Sequence, residues 1–250
     1  MMVTFDYDSL ITFMRCPLRF KFEYLEGIET GQESIKIFFK QTLHQTMKHF
    51  FKKLDEDEVI LTQKQIHDYW GDLWLADVDS EKIIYGNASE KANLTKKGYS
   101  YLNKFHRYQS DKPGVPIKVD LDYSIDFMDE YKFSGNIELI REKDNNIQIV
   151  NFSTSRYVPD NFRKQNDIRF TANSYAFQKI FEQKEDEIIY YHIRKNKSVN
   201  LHRDEDDYKK LLTIMDNVYK SIEDELFYPR ISYKCKQCPY HKHCTAWKGE

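Results

Sequence analysis

What this 250-residue chain lacks narrows the reading before any motif is considered. It holds only 8 glycines, none in a G-x-x-x-x-G-K-[ST] arrangement, so the backbone cradle an ATP motor wraps around phosphates is not encoded. No G-x-S-x-G elbow occurs, which removes support for a serine hydrolase. No run approaches the roughly 20 apolar residues that span a bilayer. The first residues also lack the basic start, apolar stretch and small-residue cleavage site of a leader, so the expectation is a cytoplasmic protein without a membrane partner. A net charge of -2 excludes a uniformly basic nucleic-acid binder. It leaves room for a basic groove, because the acidic runs 55–58 and 204–207 offset Lys52, Lys53, Lys96, Lys97, Arg163 and Lys164. There is no internal repeat or low-complexity tract.

Apolar surface, by contrast, is plentiful. Hydrophobic residues make up 40% of the chain, with 18 Tyr and 17 Phe, which is incompatible with a disordered polymer. The length allows one large core or two small ones, and the expectation is a single domain over 1–250. Leu10, Phe13, Met14, Leu18, Phe22 and Leu25 recur at helical spacing over 8–25, with Pro17 as a kink or a second start. Phe39, Leu43, Met47, Phe50 and Leu54 repeat the pattern over 33–54, and further helices are expected at 62–78 and 90–109. The first half thus reads as helical, closed by Pro113-Gly114-Val115-Pro116. The period then changes to two, with Val119, Leu121, Tyr123, Ile125 and Phe127 marking a strand. Strands at 131–140 and 146–152 form a hairpin about Asp144-Asn145-Asn146, followed by a helix at 167–183, a strand at 186–194 and a helix at 205–225. This order predicts an α/β fold, a mixed sheet flanked by helices.

The four cysteines fall in two places: Cys16, and a C-x2-C-x5-C run at Cys235, Cys238 and Cys244. A C-x2-C pair puts two thiolates on one loop facing one centre, and a reducing cytoplasm disfavours two disulfides. Four thiolates suit tetrahedral zinc or a cubane iron–sulfur cluster; His241 and His243 keep zinc open, and unliganded buried cysteines are the plain alternative.

The segments Met14-Arg15-Cys16-Pro17-Leu18-Arg19-Phe20 and Cys235-Lys236-Gln237-Cys238-Pro239-Tyr240 through Cys244 resemble the cluster-binding ends of RecB-like PD-(D/E)XK nucleases, of the AddB and CRISPR-adaptation exonuclease type. The resemblance spans nearly the whole chain. It implies a restriction-endonuclease-like mixed central sheet, a helical N-terminal half with an insertion at 33–112, a sheet core at 115–194, and a cluster segment made of 16 and 235–244. It also implies a [4Fe-4S] cluster held by Cys16, Cys235, Cys238 and Cys244, with zinc as the alternative.

The family's catalytic motifs can be sought in order. His44 fits the histidine of G-x-x-x-H, with Lys40 in place of the glycine; read without the family, it is a half-buried histidine satisfied by a neighbour. Gly135-Asn136-Ile137-Glu138 matches G-x-I-D with a carboxylate one methylene longer. The apolar-apolar-Asp-x-Lys strand reads Ile149-Val150-Asn151-Phe152-Ser153, so both working groups are replaced, and Q-x-x-x-Y becomes Thr171 and Tyr175. A hydrolytic site needs charged oxygens to hold Mg²⁺ or Mn²⁺ and a lysine beside the scissile phosphate. Losing one carboxylate forfeits on the order of 4 kcal/mol or more of gross attraction to a dication at an effective dielectric near 20. Asp122, Asp126, Arg141, Lys143 or Arg156 would have to move into these roles to restore them.

The expectation is therefore an inactive or weakened nuclease-fold iron–sulfur protein that binds DNA or a DNA-processing partner, in repair, recombination, replication or defence. Two alternatives stand beside it: an active metal-dependent DNA exonuclease rebuilt around His44 and Glu138, using Mg or Mn, and a structural subunit without DNA contact. Arg15, Arg19, Lys21, Lys234, Lys236 and Lys242, with nearby aromatics, would line a nucleic-acid path.

Overall fold

The computed structural model describes residues 3–29, 33–80, 83–84, 87–127, 131–155 and 157–246. The chain divides into two compact units, one made of Met1–Gly31, Tyr123–Gly135 and Asp204–Glu250, the other of Gln32–Asp122 and Asn136–Arg203. The strands β4 (Val115–Phe127) and β5 (Tyr131–Lys143) contribute to both.

In the first unit, β1 (Val3–Phe5) pairs in parallel with the start of β5, placing Phe5 opposite Phe133. Helix α1 (Tyr7–Arg15) begins at Asp6, whose carboxylate accepts from the Ser9 N–H at 2.7 Å while the Ser9 hydroxyl accepts from the Asp6 N–H, so two orphan donors are satisfied together. The expected single helix over 8–25 is instead three pieces: α1, a short α2 (Pro17–Phe20) and a π-helical turn, Lys21–Leu25. Proline causes the break: it clashes with the helical conformation of its predecessor, so Cys16 is extended (φ -163°, ψ 101°) and Pro17 starts the next helix. Helix α8 (Glu205–Glu223) packs on α1, its start capped by Asp204 and three acidic residues in the first turn. Two 3₁₀ turns, Tyr233–Gln237 and His241–His243, carry the late cysteines.

The second unit has a mixed sheet with β5 (its later half), β6 (Asn146–Ser153), β7 (Glu187–His192) and β8 (Lys197–Leu201) side by side. The β5–β6 pairing is antiparallel, β6–β7 parallel and β7–β8 antiparallel. The expected hairpin is present. Asp144 and Asn145 both have positive φ (53° and 62°), the type I′ geometry that matches strand twist and that Asn and Asp tolerate. Strand alternation then divides the side chains: Ile189 and Tyr191 join one core, Ile188 and Tyr190 the other.

Helices cover both faces. On one side, α3 (Ile35–Asp57), α4 (Gln63–Asp77) and α5 (Ala88–Gln109) bury Phe50, Phe51, Trp70, Trp74 and Phe105 against Val150, Phe152 and Tyr191. On the other, α6 (Asn161–Gln165) precedes α7 (Ile168–Phe181), which supplies Phe170 to a smaller cluster with Tyr190 and Leu201. Within the expected helical stretch 33–112, the short strands β2 (Glu33–Ser34) and β3 (Ile83–Ile84) pair in parallel. Also unforeseen are β1, α6 and β8, all too short to carry a readable period, and the strand expected at 186–194 stops at His192 before the turn into β8. No helix among the described residues is long and apolar enough to cross a membrane.

Candidate functional site

Helix α3 meets β5 through a regular ladder. His44, Lys48 and Lys52 are four residues apart and so lie on one face of the helix. The His44 Nδ1 is hydrogen-bonded to Glu138 Oε1, and Glu138 Oε2 accepts the Phe152 N–H at 2.9 Å, so both carboxylate oxygens are engaged. Burial opposes charge on Glu138. His44, the Phe152 amide and the positive charge of Arg169 outweigh it and hold the carboxyl below its usual range. One turn along α3, Lys48 Nζ reaches Asp120 Oδ1 at 2.5 Å and Lys52 Nζ reaches Oδ2 at 3.3 Å. The Asn136 amide ties Asp120 (2.9 Å) to Asp122 (2.8 Å). Burial would raise the Asp120 carboxyl, but the Lys48, Asn136 and Lys52 hydrogen bonds bring it below the ordinary value. Asp120 itself sits in β4 with φ +61°, a conformation non-glycine residues rarely adopt within a strand.

The position that would carry the metal-binding aspartate is turned inward. Asn151, 4% exposed, accepts the Asn173 side-chain amide on Oδ1 at 3.0 Å, and Asn173 also donates to the Asn136 carbonyl at 3.4 Å. Among the described residues Asn151 Nδ2 and His44 Nε2 are buried polar atoms without a hydrogen-bond partner. Two residues on, at the position of the lysine, Ser153 Oγ accepts the Tyr190 hydroxyl at 2.8 Å and lies 3.1 Å from Ser155 Oγ. Thr171, where glutamine was expected, accepts the Arg203 guanidinium at 2.8 Å, and the Tyr175 ring lies under the Lys179 ammonium at 5.3 Å on the same helix.

The residues that would have to restore the lost groups are committed elsewhere. Arg141 is buried and donates to Gln148 (2.9 Å), Gln109 (2.9 Å) and the Pro113 carbonyl (2.8 Å), with burial pushing its pKa down to about 10. Lys143 donates to the Lys112 carbonyl at 2.7 Å, Asp122 accepts the Asn136 amide as above, and Asp126 pairs with Lys132 at 3.1 Å. Arg156 lies outside the described residues. Sequence reasoning found His44 and Glu138 and missed Asn173, Arg169 and Lys48, which only the packing of α7 and α3 brings to the motif strands. The donor set does not fit Mg²⁺ or Mn²⁺: one carboxylate with both oxygens used, and a neutral amide whose oxygen is used, replace the charged oxygens a hard cation needs. Among the described residues no three His, Cys, Asp or Glu side chains are grouped as ligands of one ion.

In the first unit Cys16, Cys235, Cys238 and Cys244 line one cavity of about 540 Å³. The break at Pro17 leaves Cys16 in extended backbone at the end of α1, and the two 3₁₀ turns bend the C-terminal run back toward it. The Arg230 N–H points to Cys16 Sγ at 3.4 Å and the Ser232 N–H to Cys235 Sγ at 3.3 Å. Burial first, then the neighbouring Cys16 and Cys235, push the Cys238 thiol up. Arg19, Arg230 and Lys236 share the lining, and Arg19 favours the thiolate. Four thiols and three cations therefore line one space, a donor set that thiolate-bound zinc and iron–sulfur centres both use. His241 gives Nδ1 to the Cys238 carbonyl at 2.9 Å, and the His243 ring packs by Phe22.

A family model described as the PD-(D/E)XK nuclease superfamily matches residues 6–245. No curated protein matches the chain. Among solved structures it is similar to one titled "Crystal structure of SSO0001", at 11% identity and a TM-score of 0.42, with 100% of this chain and 89% of that chain covered.

Proposed function

Since the chain belongs to the PD-(D/E)XK nuclease superfamily, we propose that it uses the nuclease fold as a scaffold for binding and not for hydrolysis, in the manner of a RecB-like protein with an iron–sulfur cluster. The observation that carries this reading is the neutral Asn151 amide, bonded to Asn173 where a charged oxygen would hold a divalent ion, beside a serine in place of the lysine. Glu138, bonded to His44 and to the Phe152 N–H and favoured as carboxylate by the Arg169 charge, then ties α3, β5 and β6 together.

Cys16, Cys235, Cys238 and Cys244 would hold a [4Fe-4S] cluster, whose chemistry here is to cross-link the two ends of the chain. Nucleic acid is the proposed partner. The stretch 226–246 contains no acidic residue, and it presents Arg230, Lys234, Lys236 and Lys242 beside the exposed rings of Tyr228 and Tyr233. Of the other basic residues expected on this path, Arg15 is exposed, whereas Arg19 is paired with Glu23 (2.9 Å) and Lys21 with Glu26 (3.6 Å).

The test is incubation of the anaerobically purified protein with labelled single- and double-stranded DNA and Mn²⁺, beside a His44→Ala, Glu138→Ala double variant. The expected result is no degradation by either. Turnover by the native protein that the double variant loses would establish the rebuilt exonuclease instead. Absence of oligonucleotide binding at low salt would leave the assembly role.

A further inference from the structure

Cys16 is separated from the other three cysteines by more than two hundred residues, yet a C-terminal segment hydrogen-bonded around it brings it to the cavity they share. The segment that does so is 228–232. The Leu18 N–H donates to the Tyr228 carbonyl at 3.2 Å, the Arg230 N–H to Cys16 Sγ at 3.4 Å, and the Arg230 guanidinium to the Met14 carbonyl. That carbonyl is one of the acceptors left without an intrahelical partner at the end of α1, so a cationic donor there also meets the negative end of the helix. On its other side the Arg230 carbonyl faces Cys235 Sγ at 4.0 Å. One residue therefore touches both the early cysteine and the first of the late ones, through its N–H and its carbonyl, while its guanidinium holds Met14.

We infer that Arg230 is the positioning residue of the four-cysteine site: it locks the end of α1 to the C-terminal segment, so that the sulfurs are assembled before any metal arrives. The inference rests on the cluster reading above and adds to it an order of events, folding first and loading second. The N–H that Arg230 aims at Cys16 sulfur also withdraws charge from it, one of the means by which proteins set the potential of such centres.

The test compares anaerobically purified wild type, Arg230→Ala and Arg230→Lys. Three quantities are measured: the half-life of the visible absorption after adding a chelator, the cluster's reduction potential, and, in metal-stripped reduced protein, the alkylation rate of Cys16 by mass spectrometry. Arg230→Ala keeps the backbone N–H that faces Cys16 but loses the guanidinium clamp on the Met14 carbonyl, so it should bleach several-fold faster and expose Cys16 to alkylation, with a potential shifted as the N–H moves away from the sulfur, while Arg230→Lys, which keeps a cationic donor for Met14, falls between. Wild-type bleaching and wild-type Cys16 reactivity in Arg230→Ala would overturn the role. A wild-type protein purified without metal would defeat the cluster reading, and the alkylation rates would still decide Arg230.

Discussion

The Asn173 side-chain amide donates to the Asn151 carbonyl oxygen at 3.0 Å, joining α7 to β6 at the position of the motif aspartate. An aspartate at 151 would present two charged oxygens near Glu138, stable only with a cation between them. Asparagine lets α7 and β6 join without one. Asn151→Asp should therefore cost about 1–3 kcal/mol or more in the presence of EDTA, the penalty for a buried group without compensation. Combined with Ser153→Lys, it should gain a melting temperature that rises with Mn²⁺, whereas wild type shows no such rise. Thermal melts of the three proteins with EDTA and with Mn²⁺ decide it, and a wild-type melt that Mn²⁺ stabilises would contradict the reading of the donor set.

Glu138 makes a pH prediction. Its carboxyl is held below the ordinary value in the folded chain, so its charge contributes stability that is fully present above about pH 4.3, the unfolded value, and is lost as pH falls through the lower folded value. Glu138→Gln should be less stable than wild type at pH 7, by about 1.5–3 kcal/mol for hydrogen bonds to a charged group. The gap should shrink at pH 3. Urea midpoints at the two pH values measure it, and a gap independent of pH would mean that the carboxylate is not the source.

Much of this was legible in the sequence. The switch from helical to alternating period placed the helical stretch and the sheet, and Pro17 marked the break that leaves Cys16 extended. His44 and Glu138 were picked out by motif, and the structure places them in hydrogen-bond contact. Asn173 and Arg169 could not be, because a helix residue meets the strands only through tertiary packing and its own spacing reads as ordinary amphipathicity. Likewise β8, with residues of mixed exposure, has no burial alternation to betray it.

Gly98 sets two effects against each other. In a helix interior alanine is preferred to glycine by about 1 kcal/mol. A Cβ at 98, however, would stand 2.2 Å from the Trp70 ring, which is fully buried, stacked on Trp74 at 5.6 Å and bonded through its indole N–H to Thr42 at 3.2 Å. A ring so enclosed cannot yield. The clash wins, and Gly98→Ala should destabilise the protein by about 1–3 kcal/mol in urea unfolding.

Removal of the proposed cluster would have a bounded effect. A centre linking residue 16 to residue 235 closes a loop of over two hundred residues, which in the chain-entropy treatment amounts to about 5 kcal/mol at most. On the Arg230 reading these contacts, with that of Tyr228, hold the two ends by themselves, so stripping should lower the melting temperature while leaving the circular dichroism of the folded chain. Cys238→Ser should behave like the stripped protein. Complete unfolding on chelation would show that the clasp does not hold by itself.

The acid-free segment provides the last prediction. Binding of a single strand to basic residues releases counterions, and the slope of log K against log salt is about -0.7 per phosphate contact. Replacing Lys234, Lys236 and Lys242 with alanine should therefore flatten the slope by about 2. Tyr233, 83% exposed, has no burial reason to be aromatic, so its ring is available for stacking, and Tyr233→Ala should lose about 1–3 kcal/mol of affinity with the slope unchanged. Fluorescence anisotropy with a labelled oligonucleotide across a salt series separates the two effects: charge removal moves the slope, ring removal the intercept. If both variants bound as wild type does, the segment would not be the contact surface, and the nucleic-acid reading would lose its main structural support.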